Sequence, residues 1–257
     1  MASWVQFDTG EYQGFGQLDG DQIHEHSGEL FADSEANGIN HRLSDVTLLP
    51  PCKPSKIVAL WNNFHALAEK QGHDIPEMPY YFLKPSSCVI GPDTPIRSPE
   101  SYQGRIFYEG ELGIVIGRNC KNVNEAEALS FVKGYTCVND VTAMQLINDK
   151  PAFAQWTRAK SFDTFGVIGP CITELDDPAE LTVKTLLNGR ERQNYPVSDM
   201  IFSPAQLVSL LSQDMTLEAG DIIACGTSLG ALPMKPGMKV EVVIEGIGTL
   251  ENHFSPT

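Results

Sequence analysis

The segment YEGELGIVIG, residues 108–117, sets two carboxylates, Glu109 and Glu111, two positions apart in a run that otherwise reads as buried strand. In a strand they share one face with Gly113, Val115 and Gly117, while Tyr108, Leu112, Ile114 and Ile116 take the other. Neighbours on one face stand roughly 6.5–7 Å apart at the backbone. Shielded from water, two such charges raise each other's pKa or recruit a cation. A third oxygen is available from Asp140, where the buried stretch GYTCV gives way to the polar Asn139-Asp140. Three carboxylates with open positions suit a hard cation, Mg²⁺ or Mn²⁺, that keeps waters a substrate can displace. The spacing equally allows a wet-faced amphipathic strand and an Asp140 that caps a following helix.

Short strands and a few helices must position these groups. Residues 1–48 read as short strands, with Asp19-Gly20 between Leu18 and Ile23 as a hairpin turn. The proline-rich LPPCKPSK, 49–56, is a joint that divides a small β-rich N-terminal domain, 1–50, from a main domain, 51–257, and implies a separable front unit. Beyond it, IVAL (57–60) reads as a buried strand. NNFHALAEKQG (62–72) reads as a helix capped by Asn62 or Asn63 and stopped at Gly72, and residues 80–83 as a further strand. NVNEAEALSFVKG predicts a helix with an Asn124/Glu127 capping box and a stop at Gly134. VKTLLNGRERQ predicts a hairpin turned at Asn188-Gly189. SPAQLVSLLSQ predicts a helix with Ser203 as cap, Pro204 first and Gln206 closing the box. The sum is a strand-rich α+β fold with short helices.

The 257 residues, 42% hydrophobic, suffice for one sizeable core and a small extra domain. A net charge of −15 argues against nucleic acid as a partner, since phosphate binding needs a basic surface. It also means that a small anionic substrate must be captured by local positive charge, from a metal or well-placed lysines. No apolar run approaches the ~20 residues of a membrane helix. Residues 1–10 lack the basic and apolar regions of a signal peptide, so the expected location is the cytoplasm. Six scattered cysteines without a Cys-x-x-Cys pair make neither a zinc framework nor a disulfide scaffold, and are expected as small buried hydrophobes.

Five stretches then carry a resemblance. YEGELGIVIG, GYTCVNDVTA, WTRAKSFDTFG, SDMIFSPAQLVSLLSQDMTLEAGDIIACGT and VEVVIEGIGTLENHF occur in the order of the fumarylacetoacetate hydrolase family, which the chain resembles from about Lys56 to Phe254. The resemblance implies that family's mixed β-roll, a homodimer, and a divalent metal held by Glu109, Glu111 and Asp140. It implies that Lys160, in RAKSFD, reaches the substrate, and that Thr227, in the Gly-Thr motif, holds a substrate carboxylate. Family members also carry a His-x-x-Glu pair on a mobile helix; here His65 and Glu69 are four apart, still on one helix face. His65 is thus a shifted base or a helix-surface histidine. Lys84, between a strand and a proline turn, is placed to reach the cleft mouth as a substrate contact, or to snorkel.

The family's reactions on 2-oxo acids share stabilisation of charge on the 2-oxo oxygen by a metal. Lys160 adds to it, or transfers a proton if the metal beside it depresses its pKa. In the family's hydrolases the Asp motif continues with an arginine and, three residues later, a glutamine that hold charge on the leaving fragment. Here those positions are Met144 and Ile147; Gln145, adjacent, points elsewhere. The leading expectation is therefore an isomerase/tautomerase or decarboxylase of oxaloacetate-like or hydroxydienedioate 2-oxo dicarboxylic acids. The alternatives are a C–C hydrolase of acylpyruvates or fumarylpyruvate-type substrates, and a non-catalytic protein with a structural cation site.

Overall fold

The computed structural model describes residues 2–150 and 152–256, so the outermost positions of the two expected domains, 1 and 257, lie outside them. The chain opens with antiparallel strands β1 (Ser3–Asp8), β2 (Gln13–Asp19), β3 (Gln22–Gly28) and β4 (Ser34–Arg42), and the short β5 (Thr47–Leu48) returns to β1. The turn from β2 to β3 falls at Asp19-Gly20, with Gly20 at φ 60°. There follow β6 (Lys56–Trp61), α1 (His65–Gln71), β7 (Tyr80–Pro85), β8 (Val89–Ile90), β9 (Ile96–Arg97) and β10 (Gly110–Ile116). Next come α2 (Glu125–Ala128), β11 (Val132–Asp140), α3 (Met144–Ile147), α4 (Trp156–Lys160) and β12 (Gly166–Thr173). The chain closes with β13 (Thr182–Leu187), β14 (Arg190–Pro196), α5 (Pro204–Asp214), β15 (Ile222–Ala224), β16 (Lys239–Ile244) and β17 (Gly248–Ser255).

The main sheet runs β4-β3-β2-β1-β12-β11-β10-β15-β6-β7, and the front strands join it where Ser3 and Trp4 of β1 pair with Thr173 and Ile172 of β12. One 3₁₀ turn beyond β7, β8 pairs in parallel with β12 at the far side of the same sheet. The sheet therefore rolls up until its own continuation meets it. Inside the roll, Ile57, Ala59, Phe82, Val115, Val138 and Ile168 pack as one apolar cluster. The other face of the same strands, including Leu112, Ile114 and Tyr135, packs in the principal core with Val183, Val242 and Leu250. Those come from a second sheet, β14-β13-β16-β17-β9. Parallel pairs β15–β6, β12–β8 and β17–β9 among antiparallel ones make this the strand-rich α+β mixed roll that the sequence implied.

Two helices differ from expectation. α1 begins at His65, with Phe64 and not an asparagine at its cap. Asn63 faces inward instead: its Nδ2 donates to the Cys225 carbonyl at 2.9 Å and its Oδ1 accepts from the Phe202 N–H at 2.9 Å. Gly72, at φ 68°, ends the helix as expected. The box at Asn124 does not form; α2 gives way to a 3₁₀ turn, and β11 has begun by Val132. Gly134 lies inside that strand, where a Cβ would sit 2.4 Å from the Thr173 carbonyl oxygen. The glycine serves strand contact, not a helix stop. α5 has its Ser203/Gln206 capping box with Pro204 in the first turn, and Asn188-Gly189, both at positive φ, turn β13 into β14. All six cysteines are buried and free.

Candidate active site

Glu109 immediately precedes β10, Glu111 is that strand's second residue, and Asp140 ends β11. The two strands pair Gly110 with Asn139. The Asp140 N–H donates to the Glu109 carbonyl at 2.8 Å, and the Glu109 N–H donates to Asn139 Oδ1 at 3.0 Å. This register brings one oxygen of each carboxylate within 4.8 Å of the others. Lys160, the last residue of α4, donates to Glu109 at 2.8 Å and to Asp140 at 2.5 Å. Lys84, from β7, donates to the other Asp140 oxygen and to the Phe165 carbonyl. Thr142 donates to Glu109 at 2.7 Å, and the Gly226 N–H to Glu111 at 2.9 Å.

All five charged groups are buried, Lys84, Glu111 and Asp140 to 1% exposure. Burial, then the neighbouring Asp140 charge, pushes the Glu111 carboxyl well above its usual range. Burial likewise raises Glu109, although Lys160 opposes it. Burial alone would raise Asp140 too, but Lys160 and Lys84 together hold it below its usual value. Burial would lower Lys160; the Asp140 and Glu109 charges outweigh it and push the ammonium above the ordinary lysine range. With no cation among them, the carboxylates thus hold the lysine in its ammonium form.

The donor set fits a hard divalent cation. Fully ionised, three carboxylates would carry one negative charge more than the two ammonium groups offset, an imbalance that the raised Glu111 carboxyl reflects. Glu111 Oε1 is buried with no hydrogen-bond partner among the described residues. A buried carboxylate oxygen left in that state is costly, and a cation of the Mg²⁺ type, which takes oxygen ligands, satisfies it.

Between the two glutamates, the Gly110 peptide is gripped by β14 of the second sheet and by the loop after β15. Its N–H donates to Gln193 Oε1 at 3.0 Å, and its carbonyl accepts from Tyr195 at 2.5 Å and from Thr227 at 3.0 Å. Gln193 Nε2 in turn donates to Thr227 Oγ1 at 2.8 Å. A Cβ at Gly110 would lie 2.0 Å from Thr185 Oγ1, so only glycine lets the sheets approach here. Burial and the Glu111 charge raise the Tyr195 phenol well above its usual value, so it remains a donor.

A cavity of about 690 Å³ opens on this cluster, and Glu109, Lys160 and Thr227 line it. Met144 and Ile147 line it too, while Gln145 turns away and accepts from the Tyr102 hydroxyl and the Arg105 N–H. Lys84 neither lines the cavity nor snorkels; it is a buried partner of Asp140. His65 and Glu69 are exposed and do not line the cavity; α1 presents Leu67, Lys70 and Gln71 to it instead. Leu67, Lys70 and Gln71, at i, i+3 and i+4, share one face of α1, and His65 and Glu69 lie off it. Sequence reasoning passed over Trp61, His73 and Trp156 in the cavity wall, and over Gln193 and Tyr195 behind it. The alternation of Gln193 and Tyr195 in RQNYP was the available signal for two inward side chains.

A family model described as fumarylacetoacetate (FAA) hydrolase C-terminal matches residues 56–255, and one described as Rv2993c-like, N-terminal, matches residues 3–51. An uncharacterized protein of Archaeoglobus fulgidus is 48% identical over 84% of this chain and 85% of its own length. Oxaloacetate tautomerase YisK of Bacillus subtilis is 38% identical over 86% of this chain and 77% of its own. Among solved structures, a 2-hydroxyhepta-2,4-diene-1,7-dioate isomerase from Mycobacterium marinum superposes with a TM-score of 0.91 at 35% identity, covering 100% of this chain and 99% of that one.

Proposed function

The chain belongs to the fumarylacetoacetate hydrolase family, and we propose that it is a divalent-metal-dependent isomerase/tautomerase or decarboxylase that stabilises the enolate of a 2-oxo dicarboxylic acid. The observation that carries this reading is Lys160, which lines the cavity while bonded to Glu109 and Asp140 beside the unpartnered Glu111 oxygen. Glu109, Glu111 and Asp140 would hold Mg²⁺ or Mn²⁺, which when bound supplies electrostatic stabilisation of charge developing on a 2-oxo group. Lys160 presents a fixed ammonium to the same charge, and its burial strengthens that attraction over its value in water. Thr227, on the cavity wall, offers a hydroxyl to the acid's carboxylate. Met144 and Ile147 line the cavity at the positions where the family's hydrolases carry an arginine and a glutamine, which favours enolisation or decarboxylation over C–C hydrolysis. The names of the tautomerase relative and the isomerase neighbour support the same class.

On the same reading the enzyme is a cytoplasmic homodimer. Among the described residues no helix is long and apolar enough to cross a membrane. The test is kcat/KM on one Mg²⁺-loaded preparation for oxaloacetate, a hydroxydienedioate and acetylpyruvate. Faster turnover of the first two is expected; acetylpyruvate cleavage that equals or exceeds them overturns the reading. Full activity after removal of divalent ions, with only a fall in melting temperature, would instead identify a structural cation site.

A further inference from the structure

The Thr227 hydroxyl has one proton, and the structure shows where it goes. Gln193 is fixed at both ends: its Oε1 accepts from the Gly110 N–H, so its Nε2 faces Thr227 Oγ1. With that lone pair engaged, Thr227 donates to the Gly110 carbonyl at 3.0 Å, with the Tyr195 phenol oxygen also beside it. As it stands, the hydroxyl has nothing to donate to a carboxylate in the cavity. The same carbonyl, however, has a second donor, the Tyr195 phenol at 2.5 Å. Tyr195 is buried, its ring packed edge-on against Phe64 at 4.9 Å, and does not line the cavity.

Resting on the 2-oxo acid chemistry above, we propose that Tyr195 is a positioning residue that releases Thr227 for substrate. When a carboxylate arrives, Thr227 rotates its proton from the Gly110 carbonyl to the ligand, and Tyr195 keeps that carbonyl satisfied. Without the phenol, the same rotation strands a buried carbonyl oxygen, which costs on the order of one hydrogen bond. Gly110 lies between Glu109 and Glu111, so the relay also keeps the backbone between them fixed while the hydroxyl moves.

The test measures binding, not turnover. Oxalate, a non-reacting mimic of an enolised 2-oxo acid head, is titrated calorimetrically into Mg²⁺-loaded protein, and Mg²⁺ into the ion-free protein. Tyr195→Phe should weaken oxalate by about tenfold, the worth of one such bond, with Mg²⁺ affinity within about twofold of wild type. Thr227→Val should weaken oxalate similarly, and Thr227→Ser should restore it. In the Thr227→Val background, Tyr195→Phe should have no further effect on oxalate, because the carbonyl then has the same partners before and after binding. Additive losses, or a Tyr195→Phe protein that loses Mg²⁺ affinity in step with oxalate, would show a plain structural brace and overturn the proposal. If the double variant does not fold, Tyr195→Phe alone decides: unchanged oxalate affinity rejects the relay. Wild-type protein that binds no oxalate in the presence of Mg²⁺ overturns the proposed function, and the relay with it.

Discussion

Asp140 divides its two oxygens between Lys84 and Lys160, but only Lys160 also faces the cavity. The two lysines should therefore respond differently to removal. Lys84→Met leaves buried negative charge with one ammonium fewer, and losing one partner of a buried pair costs about 3–5 kcal/mol. A cation at the carboxylates restores part of that charge balance, so Mg²⁺ should raise the melting temperature of Lys84→Met more than that of wild type. Equal shifts in thermal melts with and without Mg²⁺ would count against the cation assignment. Lys160→Met should slow the favoured reaction by ~10²–10³, typical of losing one preorganised donor, while calorimetry shows Mg²⁺ still bound. Glu109, Glu111, Asp140 and Lys160 were visible as a group in the sequence because strand alternation and motif order both pointed to them. The depth of Lys84 was not, because it depends on the closing of the roll. Nothing local in YYFLKP says that its inner face will meet β11.

At the scale of elements, local signals succeeded where a backbone group had no better partner. The Ser203 box on α5 and the Asn188-Gly189 turn formed as read. Asn63 and Gly134 failed as punctuation because tertiary contacts claimed them, a loop carbonyl at Cys225 in one case and the approach of β12 in the other. In the front sheet, β3 carries a similarly nonlocal group. Burial would raise the Glu25 carboxyl, but hydrogen bonds from His41, Tyr12 and Asn37 hold it below its usual value. A carboxylate depressed on folding stabilises the protein above its unfolded pKa, and that contribution disappears as pH falls through the folded value. Melting temperature should therefore drop on acidification through and below the ordinary glutamate range. Glu25→Gln should start lower at neutral pH and show a shallower acid limb; a parallel curve would refute the linkage.

For the molecule as a whole, the proline-rich joint predicted a separable front unit, yet Trp4 and Leu30 pack in the cluster that fills the roll. Composition marks a joint in the chain but cannot show that strands on either side share a sheet. A chain truncated to begin at Lys53 should melt well below the full protein, since it uncovers apolar surface at β12. The proposed homodimer is held through the main domain, so light scattering of the full protein should report two chains. If the truncated protein remains folded, it should dimerise as well; a folded monomer would place the interface in the front strands.

The pairing of Ser3 and Trp4 with Thr173 and Ile172 also has a bearing on synthesis. β1 leaves a ribosome well before its partner, which is about 170 residues behind it. At about 5–20 residues per second, that edge waits roughly 10–30 s for its neighbour. Through that interval β5 is the strand that comes soonest after β4 to cover part of it, at Phe7 and Asp8. An unpaired strand edge of this kind can recruit strands from neighbouring chains, and the two-residue β5, so close to the proline-rich joint, covers one end of it.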